Sequence, residues 1–416
     1  MPDDGERIAR IEDYTPATTA PLRPNGHAPL VGALGEWDAG SDDEPIPPRK
    51  WLLGNIFCRR FVSSLIADGG VGKTALRIAQ CLSLAIGQPL TGEHIFQRSR
   101  VLIVSLEDDR DELRRRVEAA RLHYRLERRD LSGWLFLAAP GLSGSKLAVT
   151  ENGGHRHEAL AAERAVVIEQ RSIDLVCLDP FVKSHGVEEN ANNAIDFVAG
   201  ILAKLAIDHD CAIDAPHHVS KGAADAGNAN RGRGASSFKD AARLVYTLTP
   251  MSEEEAKLFN VSADERRSLI RMDSAKVNIA PPARTAKWFR LVGVRLANGS
   301  DLYPNGDEVQ AVEPWVPPNL WDGVTDDVAR LVMAEIDAGL PDGRLYTNQP
   351  NATDRAAAIV VKKHLPDKSD EQAREIVKTW VKNQSLQYVD FEDPAQRKPR
   401  KGLRANAANQ PGEHAR

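Results

Sequence analysis

The stretch Ala67-Asp68-Gly69-Gly70-Val71-Gly72-Lys73-Thr74-Ala75 has the make-up of a phosphate cradle. Gly69, Gly70 and Gly72 let backbone N–H groups turn inward with no Cβ in the way. Lys73 supplies a cation for the β and γ phosphates, and the Thr74 hydroxyl suits Mg²⁺. Val71 and Ala75 complete the run, so Gly69 to Ala75 are the candidate ATP-binding residues. A chance glycine turn is the bland alternative. It is disfavoured by the apolar run before the stretch, "RFVSSLI", and the helical run after it, "RIAQCLSLAI".

Such a phosphate needs chemistry around it. "IDLVCLD" ends in Asp179, which suits a carboxylate reaching the magnesium through water. Pro180 follows and cannot activate a water molecule, so a base must come from elsewhere. "VLIVSLEDD" supplies one, because Glu107 is the first carboxylate out of a buried strand, and strand C-termini line the ligand crevice of a parallel sheet. Asp108 and Asp109 could instead cap the helix that follows. In "CAIDAPHHVSKG", His217 and His218 emerge where a sensor of the γ-phosphate would sit. Paired histidines are more often structural, and no Cys or carboxylate stands at ligand spacing for a metal. Asp214 is out of place in an otherwise apolar strand.

These residues need a scaffold. Strand-length apolar runs at Phe61–Ala67, Val101–Leu106, Trp134–Ala138, Ile173–Leu178 and Cys211–Ala215 alternate with helical patterns near 74–86, 109–127, 157–170 and 191–209. That alternation predicts a parallel sheet covered by helices on both faces. Beyond 235, "ARLVYTLT", "RSLIRMDSAK" and "AKWFRLVGVRL" read as further strands. The proline-dense "VEPWVPPNLW" reads as a linker. Helices follow at 324–338, 352–363 and 370–382, the last opened by Ser369 and Gln372 at capping-box spacing. "SLQYVDFEDPAQRKPRKGLRAN" then reads as strand, basic loop, strand. Three helices and a hairpin are winged-helix grammar. The expected organisation is a disordered acidic leader over 1–46, a P-loop ATPase domain over 47–311, a linker over 312–320, a winged-helix-like DNA-binding α+β domain over 321–405 and a flexible tail over 406–416.

Composition narrows the function classes. The 416 residues carry a formal net charge of -5, which argues against a chain that coats nucleic acid uniformly. The leader over 1–46 holds three basic residues against ten acidic ones and few apolar ones, hence the expected disorder. Cys58, Cys81, Cys177 and Cys211 stand singly in apolar stretches, so disulfides and zinc are not expected and a reducing cytoplasm fits. No apolar run approaches a membrane span, and the N-terminus lacks a signal-peptide core.

The ordered series "ADGGVGKT", "VLIVSLEDD", "LDPFVKSHGVEEN", "HHVSKG", "RGRGASSFKDAARLVYTL" and "MDSAKVN" resembles the RepA-type plasmid replication helicases, over roughly 47–300. These are RecA-fold hexameric ATPases of the wider AAA group, related distantly to DnaB-type replicative helicases. The phosphate loop is generic, while "HHVSKG" followed by the "RG…R" segment and "SAK-N" is far more diagnostic. The resemblance implies a RecA-like core, ATP and Mg²⁺ as cofactors, and a homo-hexameric ring with single-stranded DNA in its channel. It implies that Glu107 is the catalytic glutamate and His218 the phosphate sensor. It makes Arg243 an arginine finger given to the neighbouring subunit and Lys276 a second basic residue at that interface. Lys221, Arg231 and Arg233 would then sit in a glycine-rich loop facing the channel, where contacts to DNA are mainly electrostatic. The function expected is a ring-forming, DNA-dependent ATPase of helicase type. The alternatives are an ATP-switched initiator, loader or regulator that binds duplex DNA through the C-terminal domain, and a nucleotide-binding scaffold with negligible turnover.

Overall fold

The computed structural model describes residues 37–406 other than 41, 142–145, 152–153, 158, 190, 219–226, 228–237, 240, 282 and 350. The chain divides into two units, Met1–Pro48 and Arg49–Arg416. Most of the expected acidic leader, the tail beyond 406, and Lys221, Arg231 and Arg233 lie outside the described residues.

In the second unit the chain opens with a short antiparallel pair, β1 (Trp51–Leu53) and β2 (Phe57–Cys58). The five sequence-predicted apolar runs then become β3 (Val62–Ala67), β4 (Val101–Ser105), β5 (Leu135–Ala138), β8 (Leu175–Asp179) and β9 (Ala212–Asp214). A small hairpin, β6 (Ala148–Glu151) and β7 (Gly154–His157), stands apart between β5 and β8. The sheet continues through β10 (His217–His218), β11 (Leu244–Pro250), β12 (Leu269–Val277), β13 (Lys287–Arg295) and β14 (Glu308–Trp315). Its order is β14-β13-β12-β11-β3-β9-β8-β4-β5, with β10 beside β3. From β5 to β11 every pairing is parallel, and β12, β13 and β14 add an antiparallel extension. This is the α/β, largely parallel arrangement expected of a RecA-like P-loop core.

Two helical layers cover the sheet. α1 (Lys73–Ile86) and α2 (Arg110–His123) pack on one face, over Leu65, Ile103 and Leu244 among others. α4 (Ala159–Arg171) and α5 (Asn192–Asp208) close the other, over Ile66, Val104 and Leu178. Successive residues of β3, β4 and β8 therefore serve different cores. This explains why these strands read as continuous apolar runs instead of alternating ones. The helix expected over 109–127 ends early: Tyr124 caps α2, Arg125 turns at φ 55, and a separate turn, α3, runs Arg128–Leu131.

The proline-dense segment begins inside the sheet, contrary to the linker expected over 312–320. Pro314 pairs with Phe289, and Val312 is fully buried. β14 is the edge strand, where a missing N–H costs no ladder bond. Beyond it, helices at Asp326–Ala338, Ala357–His364 and Asp370–Lys382 and the hairpin β15 (Leu386–Asp393) and β16 (Lys398–Ala405) surround a separate core of Val332, Ile336, Val361, Ile376 and Trp380. The middle helix starts five residues later than expected. Residues just before it are drawn to other partners: Arg355 donates to the Leu345 carbonyl, and the Ala357 N–H bonds the Thr347 carbonyl. The third helix opens with the expected capping box at Ser369 and Gln372, and the Ser369 hydroxyl also donates to the Lys257 carbonyl at 3.0 Å. That second bond seats the start of this helix on the short helix Glu253–Phe259, which follows β11 of the large sheet.

Candidate active site

The candidate residues gather at the C-terminal ends of neighbouring parallel strands. β3 runs into the phosphate loop, and Gly70 (φ 80) and Gly72 (φ 99) adopt left-handed backbone conformations that residues with a Cβ rarely tolerate. Gly72 is also approached closely. A Cβ there would lie 2.6 Å from Leu291 Cδ2, so β13 packs directly on the loop. The Gly72 carbonyl accepts from Leu76 N–H, which launches α1.

Lys73, the first residue of α1, is 4% exposed, and its Nζ is buried with no hydrogen-bond partner. Burial pulls its pKa down, the Asp179 and Glu107 carboxylates push it up, and the Arg77 cation pulls it down again. A buried ammonium without a partner is costly, and a phosphate between Lys73 and the loop would remove that cost. Asp68 Oδ1 is the second loop atom buried without a partner, and nothing in the structure explains it.

Thr74 and Asp179 are brought together, the Thr74 hydroxyl donating to Asp179 Oδ2 at 2.6 Å. These oxygens are hard donors of the kind Mg²⁺ takes. The residues present therefore fit a magnesium nucleotide. Lys73 and the loop would hold the phosphates and Thr74 and Asp179 the ion, which when bound supplies charge stabilisation at the transferring phosphoryl group.

β4 and β8 end in register, Ser105 beside Asp179, and the Leu106 N–H bonds the Asp179 carbonyl. Glu107 follows. The three neighbouring carboxylates part company here. Asp109 caps α2, accepting from Glu112 N–H at 2.8 Å, and Asp108 pairs with Arg116 at 2.9 Å. Glu107 alone turns towards β10, where its Oε2 lies 3.8 Å from His218 Nε2. His218 is held beside Ala67 by the parallel pairing of β10 with β3. Burial and then the Lys73 cation lower the pKa of His218, while Glu107 raises it. The pair is one-third to one-half exposed and open to solvent.

His217 points the other way. It is buried against Phe181 and Phe238, and its pKa falls to about 4, chiefly by burial. His185 contacts the same Phe181 and is likewise lowered to about 4.

Arg243 and Lys276 do not join this site. The Arg243 N–H bonds the Val62 carbonyl at the start of β3, and its side chain is exposed. From Val62 to Ala67 is about 17 Å along an extended strand. Lys276 stands at the same end, opposite Val245, and its Nζ donates to the Lys239 carbonyl at 3.0 Å.

Sequence reasoning missed the partner of Asp214. Arg77, on α1, lies 2.8 Å from Asp214 Oδ2 through Nε and 2.9 Å from Oδ1 through Nη2, with both residues essentially unexposed. The signal was present as an isolated carboxylate in an apolar strand. Its cation lay over a hundred residues away, in a helix that reads as merely amphipathic.

Residues 28–224 match a family model described as an AAA domain. The chain carries a P-loop ATPase domain. The matched residues include the phosphate loop, Glu107, Asp179 and His218, while Arg243 and Lys276 lie beyond them. Among solved structures, one described as the "ATPase Domain of G40P" is similar at a TM-score of 0.40 and 14% identity, over 60% of this chain and 85% of that one. No helix among the described residues is long and apolar enough to cross a membrane, and the four cysteines are buried thiols outside any disulfide.

Proposed function

We propose that this chain is a DNA-dependent ATPase of helicase type that works as a homo-hexameric ring in the replication of a plasmid, phage or integrated element. The observation that carries the reading is the Glu107–His218 pair beside the phosphate loop, 3.8 Å apart at the C-terminal edge of the parallel sheet. A passive nucleotide binder needs neither group. In the proposed reaction Glu107 takes a proton from the attacking water, and His218 answers to the γ-phosphate. Arg243 completes the site of a second copy, since it stands at the far end of the sheet from its own. Lys276 joins it at that interface after leaving the Lys239 carbonyl. Lys221, Arg231 and Arg233 contact single-stranded DNA.

A second reading keeps the ATPase and drops unwinding. It is favoured by the C-terminal helices and hairpin, whose order is that of a winged helix. The third helix carries Arg374, Lys378 and Lys382, and the hairpin carries Arg397, Lys398, Arg400 and Lys401. The structure shifts the weight between these groups. The first turn of the third helix is acidic (Asp370, Glu371), and its Ser369 cap is bonded to the ATPase core, so duplex contacts would come from the hairpin. Strand displacement on forked DNA separates the readings. Unwinding that requires ATP supports the first, whereas ATP-dependent duplex binding without displacement supports the second.

A further inference from the structure

We propose that the buried Arg77–Asp214 pair is a positioning device that fixes the rotation of the phosphate-loop helix against the strand leading to His218. This rests on the ATPase reading above. Arg77 follows Lys73 by four residues, so both face the sheet from one side of α1. Asp214 ends β9, four residues before His218. Arg77 Nη2 donates to Asp214 Oδ1 at 2.9 Å, and Nε lies 2.8 Å from Oδ2 in an ion pair without a hydrogen bond, so the guanidinium is held at two points against both rotation and separation.

Further contacts hold the two side chains in place. The Ser63 hydroxyl of β3 donates to Asp214 Oδ1 at 2.6 Å, Arg77 Nη1 donates to Gln80 Oε1 at 2.6 Å, and the Phe57 ring centroid lies 5.1 Å from the guanidinium carbon. Cys177 of β8, two residues before Asp179, comes within 3.9 Å of Asp214 Oδ2. The pair thus joins α1, which carries Lys73 and Thr74, to the three strands whose ends carry the loop, Asp179 and His218.

A buried ion pair is weak evidence for stability, because well-packed apolar residues of similar volume often serve as well or better. What apolar contacts do not supply is a fixed angle. Side chains of an α-helix reach about 5–6 Å from its axis, so a rotation of about 10° moves the Lys73 ammonium by about 1 Å. Displacement of that size costs on the order of 10²-fold in rate where reacting groups must be aligned.

The test uses the full chain with Arg77→Met/Asp214→Val, which removes both charges together. Three quantities are measured: melting temperature, affinity for a fluorescent ATP analogue with Mg²⁺, and the rate of ATP hydrolysis. The expected result is a wild-type melting temperature, affinity within a few-fold, and kcat reduced about 10- to 100-fold. Wild-type kcat in this variant would overturn the proposal and leave the pair a packing feature. If the double variant does not fold, Arg77→Lys decides. It keeps the cation but loses the fork, so it should lose about tenfold in kcat at similar nucleotide affinity, and an unchanged kcat overturns the proposal. A wild-type chain that binds nucleotide but never hydrolyses it would instead sink the ATPase reading, and this inference with it.

Discussion

Replacing Gly72 with alanine should weaken nucleotide binding through two separable costs. The first is backbone conformation: Gly72 sits at φ 99, and an L-residue held at positive φ loses about 1–2 kcal/mol. The second is space, since the new Cβ would lie 2.6 Å from Leu291 Cδ2 and 3.3 Å from Cδ1. Leu291 can swing, and an off-rotamer side chain costs about 0.5–1.5 kcal/mol. Together the costs come to about 1.5–3.5 kcal/mol, or about 10- to 300-fold in affinity if all of it falls on the nucleotide-ready loop. Titration with a fluorescent ATP analogue reads the affinity, and a thermal melt shows what falls on the fold instead. Leu291→Ala in the Gly72→Ala background should recover only the second cost, leaving about 1–2 kcal/mol behind. Wild-type affinity and melting temperature in Gly72→Ala would refute the reasoning. Complete rescue by Leu291→Ala would refute its backbone half.

Glu107→Gln should bind ATP and hydrolyse it about 10²–10⁴-fold more slowly; an equal loss in Asp108→Asn with none in Glu107→Gln would move the base to Asp108. Mixing Glu107→Gln with Arg243→Ala should restore part of the ATPase rate, because some interfaces then pair an intact base with an intact finger, whereas no recovery would confine Arg243 to its own chain. Between pH 6.5 and about 4 the protein should lose stability as pH falls. His185 and His217 are depressed to about 4 in the fold, so the unfolded chain binds up to two more protons in that window. Urea unfolding at several pH values should therefore show a steeper decline than in a His185→Phe variant, and equal slopes would refute the assignment. Lys398→Glu/Lys401→Glu should abolish salt-dependent binding of duplex DNA without touching basal ATP hydrolysis, and retained duplex affinity would remove the hairpin as a contact surface.

The parts of the fold legible in sequence are those set by local chemistry. β3, β4 and β8 announced themselves because burial on both faces demands unbroken apolar runs, and the loop glycines because a cradle needs conformations other residues avoid. The third C-terminal helix was readable to the residue, since its capping box is a contact over three positions. What escaped depends on distant partners. Pro314 looked like a linker because proline density is a local signal, whereas the edge position that tolerates it is set by the pairing with β13. The start of the middle C-terminal helix is displaced by bonds to Leu345 and Thr347, which no periodicity encodes. The approach of Leu291 to Gly72 joins residues over two hundred positions apart.

The charge balance at the loop bears on where further cations come from. The charged groups that act on Lys73 are Asp179, Glu107, Arg77 and Asp214. Asp214 holds Arg77 in a two-point pair, so that guanidinium is already compensated. Lys73 is then left facing Glu107 and Asp179, with the pKa of His218 lowered by burial and by Lys73 itself. Charge that develops on a transferring phosphoryl group needs cations fixed in advance. Among the described residues this site holds more carboxylate than ammonium. A magnesium ion, if held by Thr74 and Asp179, would offset the charge of Glu107 and Asp179 and leave little for the phosphates' own charge. On the proposed reading, this balance is the reason a second cation would be required. The proposed source is Arg243 of another copy, because Arg243 is exposed at the opposite end of the sheet from its own loop.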